Sequence, residues 1–357
     1  MNNPLRYLLL PFAWLYGIGV AVRNQLFDWH ILKSKSFDVP VFGIGNLSAG
    51  GTGKTPMAEY MLKLLLENGY KPALLSRGYG RQSSGFMEVM PDTGASLAGD
   101  EPYQVKQKFP GAYIAVCEDR AKGIETILSS KPETDVIVLD DSFQHRYVKP
   151  GFNILLTDYN RPYYRDILLP AGRLREPVSG RKRAQVIIMT KCPEHIDASA
   201  KEKIKPKLKP FPGQELYFTS IAYQPLQNIN NGDSLALTSL KDYKIILFTG
   251  IANTTTIEIF LKINGADFKL IKYPDHHYFS SMDVEKIISG WKNIPGNNKI
   301  LLTTEKDWRR MEGTEQAGLF LGLPLYFLPI AVQWDAAEKI NFDRTILQYV
   351  ERNRTGR

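Results

Sequence analysis

VFGIGNLSAGGTGKTP, residues 41–56, runs from a short apolar segment through a glycine-rich turn into a helix that begins near Lys54. Strand, turn and helix in that order are the context a P-loop requires. Gly50, Gly51 and Gly53, with Ser48 and Thr52 in the same turn, let successive backbone N–H groups converge on phosphate oxygens at the positive end of the following helix. Lys54 is placed to reach the β and γ phosphates of a nucleotide, and Thr55 to ligate Mg²⁺. The turn departs from G-x-x-x-x-G-K-[ST] at Ser48, where the first glycine would stand.

Outward from this turn, short apolar runs alternate with helical segments. Strands are predicted at 39–44, 73–76, 113–116, 136–139, 154–157 and 186–190, with helices at 54–68 and 119–129 among them. Such alternation predicts an α/β fold, a P-loop NTPase-type doubly wound, mainly parallel sheet. The lysine-rich run KEKIKPKLKP at 201–210 reads as a solvated face, and NINNGD at 228–233 has loop composition that suits a boundary. Further strands predicted at 245–249, 268–273, 300–304 and 325–328 form a second, smaller α/β domain. The expected organisation is therefore a membrane-associated helix over 1–36, a P-loop domain over 37–230, and a smaller C-terminal domain over 231–357 that closes over the active site.

The first of these segments contains YLLLPFAWLYGIGVAV, residues 7–22, which is 16 residues without a charge. A spanning helix wants roughly 18 to 20 apolar residues, and this run is flanked by Arg6 and Arg23 and interrupted by Pro11, Gly17 and Gly19. An interfacial anchor is the favoured reading, with a single span and a buried core helix as alternatives. Phe12, Trp14, Tyr16, Phe27 and Trp29 supply rings suited to headgroup depth.

A second chemical signal is VIVLDDSFQHR at 136–146, where a strand ends in paired aspartates. A carboxylate at a strand's carboxyl end beside a P-loop holds Mg²⁺ directly or through water. Asp140 is the candidate ligand, with Asp141 assisting. His145 has two readings, a hydrogen-bonded support for the loop or a contact to substrate or phosphate. In YPDHHYF, 273–279, the trio Asp275, His276 and His277 can be read as metal-binding, catalytic or structural, although adjacent side chains rarely converge on one ion.

Together with SRGYGR at 76–81, GDEP at 99–102, LPAGRLREP at 169–177 and TTEKDWRR at 303–310, these motifs resemble the tetraacyldisaccharide 4'-kinase family over most of the chain. The resemblance implies an enzyme that uses ATP and Mg²⁺ to phosphorylate the 4' hydroxyl of a tetraacylated glucosamine disaccharide 1-phosphate. The product is lipid IVA in lipid A biosynthesis, made at the cytoplasmic face of the bacterial inner membrane. It also implies that Asp100 lies at the catalytic centre, as the carboxylate that takes the acceptor proton, while a helix N-cap is the plainer alternative for that residue. His276 is implied as a contributor reaching across the domain cleft, and Lys306 and Asp307 are expected near the nucleotide. Arg77, Arg81, Arg120, Gln144, His145, Arg173, Arg175 and Glu176 are the expected substrate-binding set. Departures from the family pattern are Ser142 in place of glycine, Arg173 in place of proline, and NRPYYRD at 160–166, which lacks the usual Gly-Asn-Gly spacing.

Net charge bounds the partners. With 45 Lys and Arg against 37 Asp and Glu the chain carries +8, compatible with nucleic acid, anionic lipid or a phosphorylated substrate. No nucleic-acid-binding motif is present, so the expected partners are a lipid-linked disaccharide and an anionic membrane surface, with no nucleic acid. The basic cluster Arg173, Arg175, Arg181, Lys182 and Arg183 is the patch expected against the anionic 1-phosphate or lipid headgroups. Cys117 and Cys192 lack C-x-x-C spacing and fit a reducing compartment. A monomer is expected. The alternative function is a regulatory or chaperone P-loop NTPase at a membrane. Ala49, where partitioning and metal-insertion ATPases carry a signature lysine, argues against one branch of it. No N-K-x-D spacing for guanine is present, which favours ATP.

Overall fold

A computed structural model describes residues 5–354; the extreme ends of the expected first and last segments, 1–4 and 355–357, lie outside the described residues. After one turn at Leu5–Leu8 (α1), helix α2 spans Leu10–Asp28, with Pro11 in its first turn where a missing N–H costs nothing. The strands that follow are β1 (Val41–Asn46), β2 (Pro72–Ser76), β3 (Met87–Glu88), β4 (Tyr113–Val116), β5 (Val136–Leu139), β6 (Phe152–Asp158), β7 (Val186–Thr190) and β8 (Glu215–Tyr223). With β15 (Ile330–Trp334) they form a nine-stranded sheet in the order β15-β8-β7-β6-β1-β5-β2-β4-β3. All its neighbours run parallel except the two edges, where β3 and β15 are antiparallel to β4 and β8. The expected mainly parallel α/β sheet is what forms.

Helices α3 (Lys54–Glu67), α4 (Ala95–Ala98), α5 (Asp100–Lys108), α6 (Arg120–Ser130) and α7 (Ala198–Leu208) connect these strands. A second sheet of six strands follows the order β10-β9-β14-β13-β11-β12. Its strands are β9 (Leu226–Asn228), β10 (Ser234–Leu235), β11 (Lys244–Thr249), β12 (Asp267–Lys272), β13 (Lys299–Thr304) and β14 (Leu325–Leu328). It is accompanied by α8 (Thr255–Ile263), α9 (Ser281–Lys292), α10 (Glu305–Met311) and α11 (Glu315–Gly318).

The C-terminus departs from the expected division. Instead of staying with the second sheet, β15 pairs with β8, and α12 (Ala336–Asn353) buries Phe342, Ile346 and Val350 in the core of the large sheet. The reason is apolar: Phe342 meets Tyr60 and Tyr217, and Trp334 stacks on Phe342 with centroids 4.6 Å apart. The second sheet therefore occupies 226–328, and the chain returns from it to the first.

β1 lies near the middle of the large sheet between β5 and β6, and all six of its residues are buried. Phe42 and Ile44 face one core, while Gly43 and Gly45 share the opposite face. The loop that follows β5 is laid across these two glycines, with Ser142 N–H donating to the Ile44 carbonyl at 3.0 Å. A Cβ on Gly45 would stand 2.5 Å from Phe143 Cβ and 2.8 Å from its backbone nitrogen. Gly45→Ala should therefore either displace the loop or strain the strand. We expect a loss of about 1–3 kcal/mol in urea denaturation together with reduced catalytic activity, whereas an unchanged midpoint and rate would show that the close approach is dispensable.

Candidate active site

The glycine-rich turn leaves β1 and enters α3 with Gly50 at φ 113° and Gly53 at φ 85°. Both values lie where a side chain is strained, so glycine is needed to turn the backbone N–H groups inward. The turn is braced from beneath. Asn46 Nδ2 donates to Thr52 Oγ1 at 2.7 Å, and Thr190 Oγ1, at the end of β7, donates to the Thr52 carbonyl at 2.8 Å. Lys191 donates to the Gly51 carbonyl and pairs with Asp158 at 3.0 Å. Ser48 and Thr52 are buried, Gly51 is exposed, and Lys54 and Thr55 are half-buried at the first turn of α3.

The paired aspartates follow β5, the neighbour of β1. Asp140 is buried, and Asp141 sits at φ 44°. That left-handed backbone turns Asp141 toward the glycine-rich turn, where its carboxylate is 3.6 Å from Lys54 and 3.1 Å from Arg175. Burial by itself would raise the Asp141 carboxyl, but Lys54 and Arg175 outweigh it and hold it below the usual carboxylate range. Asp140 is pushed the other way, first by burial and then by the charges of Glu101 and Asp141. Asp140 thus carries the negative influence of both Glu101 and Asp141.

The same loop is tied to the LPAGRLREP segment. Gln144 Nε2 donates to the Asn46 carbonyl at 2.7 Å and to Glu176 at 2.8 Å, and Glu176, buried, also accepts from Arg183 at 2.7 Å. Ala49 N–H donates to the Arg173 carbonyl at 2.7 Å. This brings the exposed Arg173 guanidinium to 3.8 Å from the point where a Gly50 Cβ would stand. Helix α2 packs on the other side: Tyr16 Oη donates to the Arg175 carbonyl at 2.7 Å, Arg23 to the Gln144 carbonyl at 3.3 Å, and Arg146 pairs with Asp28 at 2.6 Å. The N-terminal helix is therefore part of the site's wall.

The expected arginines divide by geometry. Arg77 is exposed, whereas Arg81 is committed to Glu118 and the Gly85 carbonyl, both at 2.5 Å. Arg120 is buried, donates to the Cys117 carbonyl at 2.7 Å and reaches the Asp140 carbonyl at 3.5 Å, so it lies beneath the aspartates. Burial pulls its pKa down to about 10.

Asp100 opens α5 with no side-chain capping bond, which separates it from the N-cap alternative; Gly99 is the cap residue, at φ 91°. Its Oδ2 lies 3.4 Å from His276 Nδ1 and accepts from Arg310 Nη2 at 2.6 Å. His276, at φ 59°, belongs to the turn after β12, so an acid from the large sheet meets a histidine from the small one. His277 instead stacks on Tyr273 and contacts Asp283 at 3.0 Å. Among the described residues no three His, Cys, Asp or Glu side chains are placed to hold a metal together, and Asp275, His276 and His277 form no such cluster. Lys306 pairs with Glu101 at 3.4 Å, while Asp307 is fully buried within the second unit.

A family model for Tetraacyldisaccharide-1-P 4'-kinase matches residues 5–351. The chain belongs to the tetraacyldisaccharide-1-P 4'-kinase family. Relatives named tetraacyldisaccharide 4'-kinase include one from Bacteroides thetaiotaomicron, 45% identical over 355 residues and covering 97% of this chain and 93% of its own. Another, from Phocaeicola vulgatus, is 43% identical over 349 residues, covering 97% and 95%. Among solved structures, the "apo" form of LpxK from Aquifex aeolicus in complex with ATP is similar, with a TM-score of 0.74 and 30% identity over 97% of this chain and 99% of that one.

Asn46, Glu101, Lys191 and Arg310 do not stand out in the sequence, yet the fold brings them to the candidate site. Glu101 and Arg310 stood inside quoted motifs, GDEP and TTEKDWRR, but their partners are distant in sequence. His145 gives a pH test. Burial, then Arg120 and Arg77, depress its pKa from the ordinary 6.5 to about 4. A histidine held neutral in the folded state costs stability as pH falls from 6.5 toward 4, because the unfolded chain takes up the proton first. His145→Gln should therefore lose less stability than the parent between those two pH values in chemical denaturation; parallel losses would place no burden on His145.

Proposed function

We propose that this chain transfers the γ-phosphate of ATP to the 4' hydroxyl of a tetraacylated glucosamine disaccharide 1-phosphate, the lipid IVA-forming step of lipid A biosynthesis. The kinase activity and its lipid-linked acceptor accord with the family and with relatives of the same name, and ATP binding accords with the ATP-bound structural neighbour. The observation that supports the site assignment is the convergence of Lys54, Asp141 and Arg175 beside the glycine turn, together with the meeting of Asp100 and His276 between the two units.

In this reading Gly50, Gly51, Thr52, Gly53 and Ser48 form the phosphate cradle, and Lys54 binds the β and γ phosphates. Thr55, Asp140 and Asp141 are the residues that would hold Mg²⁺; their acidic pocket fits a cation that takes its remaining ligands from phosphate and water. When bound, Mg²⁺ supplies charge neutralisation on the phosphates. Arg173, above Gly50, and Arg175 offset charge on the transferring group. Arg77 is exposed to meet the acceptor. Gln144, Glu176, Arg81 and Arg120 hold neighbouring groups in place rather than offering free donors. Asp100 accepts the proton of the attacking hydroxyl, and His276 holds that carboxylate and shares its charge.

The chain meets its acceptor as a monomer at an anionic membrane surface, the cytoplasmic face of the inner membrane, and nucleic acid is not a partner. No helix among the described residues is long and apolar enough to cross a membrane. Support for surface attachment comes from α1 and α2, which leave Leu8 71%, Trp14 74% and Leu15 67% exposed next to the site. The division into an anchor, a P-loop unit and a second unit that closes on the site follows the same reading.

Two measurements test it. Lys54→Ala and Asp100→Asn should each lower transfer of labelled phosphate from ATP to a micellar acylated disaccharide by about 10²-fold or more while remaining folded by circular dichroism; no lipid product from the parent protein would sink the assignment. Replacing Phe12, Trp14 and Leu15 together by serine should release the protein from anionic vesicles in flotation while preserving turnover in detergent. Undiminished flotation would remove α2 as the attachment.

A further inference from the structure

The carboxylate at the centre of the site is held by a residue from the other unit. Arg310, in α10, has a side chain only 1% exposed. Two of its nitrogens converge on one oxygen of Asp100: Nε at 2.9 Å and Nη2 at 2.6 Å, both to Oδ2. The His276 contact is also to Oδ2. Every contact to this carboxylate thus falls on a single oxygen, and among the described residues none is made to Oδ1.

Arg310 is itself fixed. Its Nη1 donates to Asp307 Oδ1 at 3.2 Å and to the His277 carbonyl at 3.1 Å. The other oxygen of Asp307 accepts from Thr249 Oγ1 at 2.6 Å, Thr304 Oγ1 at 2.7 Å and Gly250 N–H at 3.1 Å. These donors stand at the ends of β11 and β13, so the arginine is anchored to two interior strands of the second sheet. A planar fork with that backing sets a direction as well as a charge.

We infer that Arg310, oriented by Asp307, is a positioning residue for phosphoryl transfer. It clamps Oδ2 of Asp100 so that Oδ1 alone faces the acceptor hydroxyl, and it makes the alignment of this base depend on docking of the second unit against α5. The inference rests on Asp100 being the base. The same helix pair carries two further cross-unit contacts, Lys306 with Glu101 at 3.4 Å and Lys108 with Glu305 at 3.2 Å, which keep α10 alongside α5 while Arg310 sets the carboxylate. ATP is held by the first unit, so the clamp affects the transfer step and not nucleotide binding.

A double-mutant cycle tests this with the full-length enzyme, using single-turnover transfer to the micellar disaccharide. Arg310→Gln should lower the transfer rate on the order of 10²-fold, with KM for ATP unchanged within about twofold. In an Asp100→Asn background the same change should cost less than about threefold, because the residue acts through a carboxylate that is no longer there. Arg310→Lys, which keeps charge but loses the fork, should recover only part of the rate, and it carries the cycle if the glutamine variant fails to fold. Equal penalties in both backgrounds, or a raised KM for ATP matching the lost rate, would overturn the clamp. Full activity of Asp100→Asn alone would instead overturn the base assignment on which it rests.

Discussion

The contact that the rest of the site depends on is the laying of the 140–145 loop across Gly43 and Gly45 of β1. Two hydrogen atoms in place of side chains let Phe143 approach the strand closely enough for Ser142 to bond the Ile44 carbonyl. From that one approach follow the left-handed turn at Asp141, its pairing with Lys54 and Arg175, and the reach of Gln144 to the Asn46 carbonyl. A larger residue at either glycine would lift the acids off the P-loop, and a phosphate cradle without its carboxylates can bind but cannot organise transfer.

Around that contact the protein builds its chemistry from buried charge, which is stable only when paired. Asp141 gains Lys54 and Arg175, Asp140 feels Lys54 and Arg120 but is still raised by burial and by its acidic neighbours, and Asp100 is matched by Arg310. The three carboxylates sit in different electrostatic settings, so they suit different tasks. The apolar exposure of α2 adjoins this charged centre through Tyr16, Arg23 and Asn24, so the exposed apolar face and the charged centre share one wall. Under the proposed function, a lipid-linked acceptor is served by that adjacency.

Much was legible in the chain. The strand, turn and GKT gave the cradle; the apolar run ending in Asp140 and Asp141 gave the acids; and motif resemblance gave the acceptor. Legibility failed where partners are far apart in sequence. Arg81, Arg120 and Glu176 look like free substrate contacts in a motif, yet each is taken up by a neighbour that only packing supplies. The return of β15 and α12 to the large sheet was likewise hidden, because amphipathic periodicity says that a face is buried and not which core buries it.

By itself the sequence determined the class of fold and the family, and it located the glycine-rich turn, because these are written in local spacing: glycine where φ must be positive, alternation where a parallel sheet is covered by helices. Only the tertiary structure decided which charges meet. Asp100 and Arg310 stand 210 positions apart and share one oxygen atom, and Tyr16 and Arg175 are 159 apart. Whether an ionisable side chain binds substrate or braces a neighbour depends on which opposite charge lies within a few ångströms of it, and that distance is set by how the two sheets and the N-terminal helix pack.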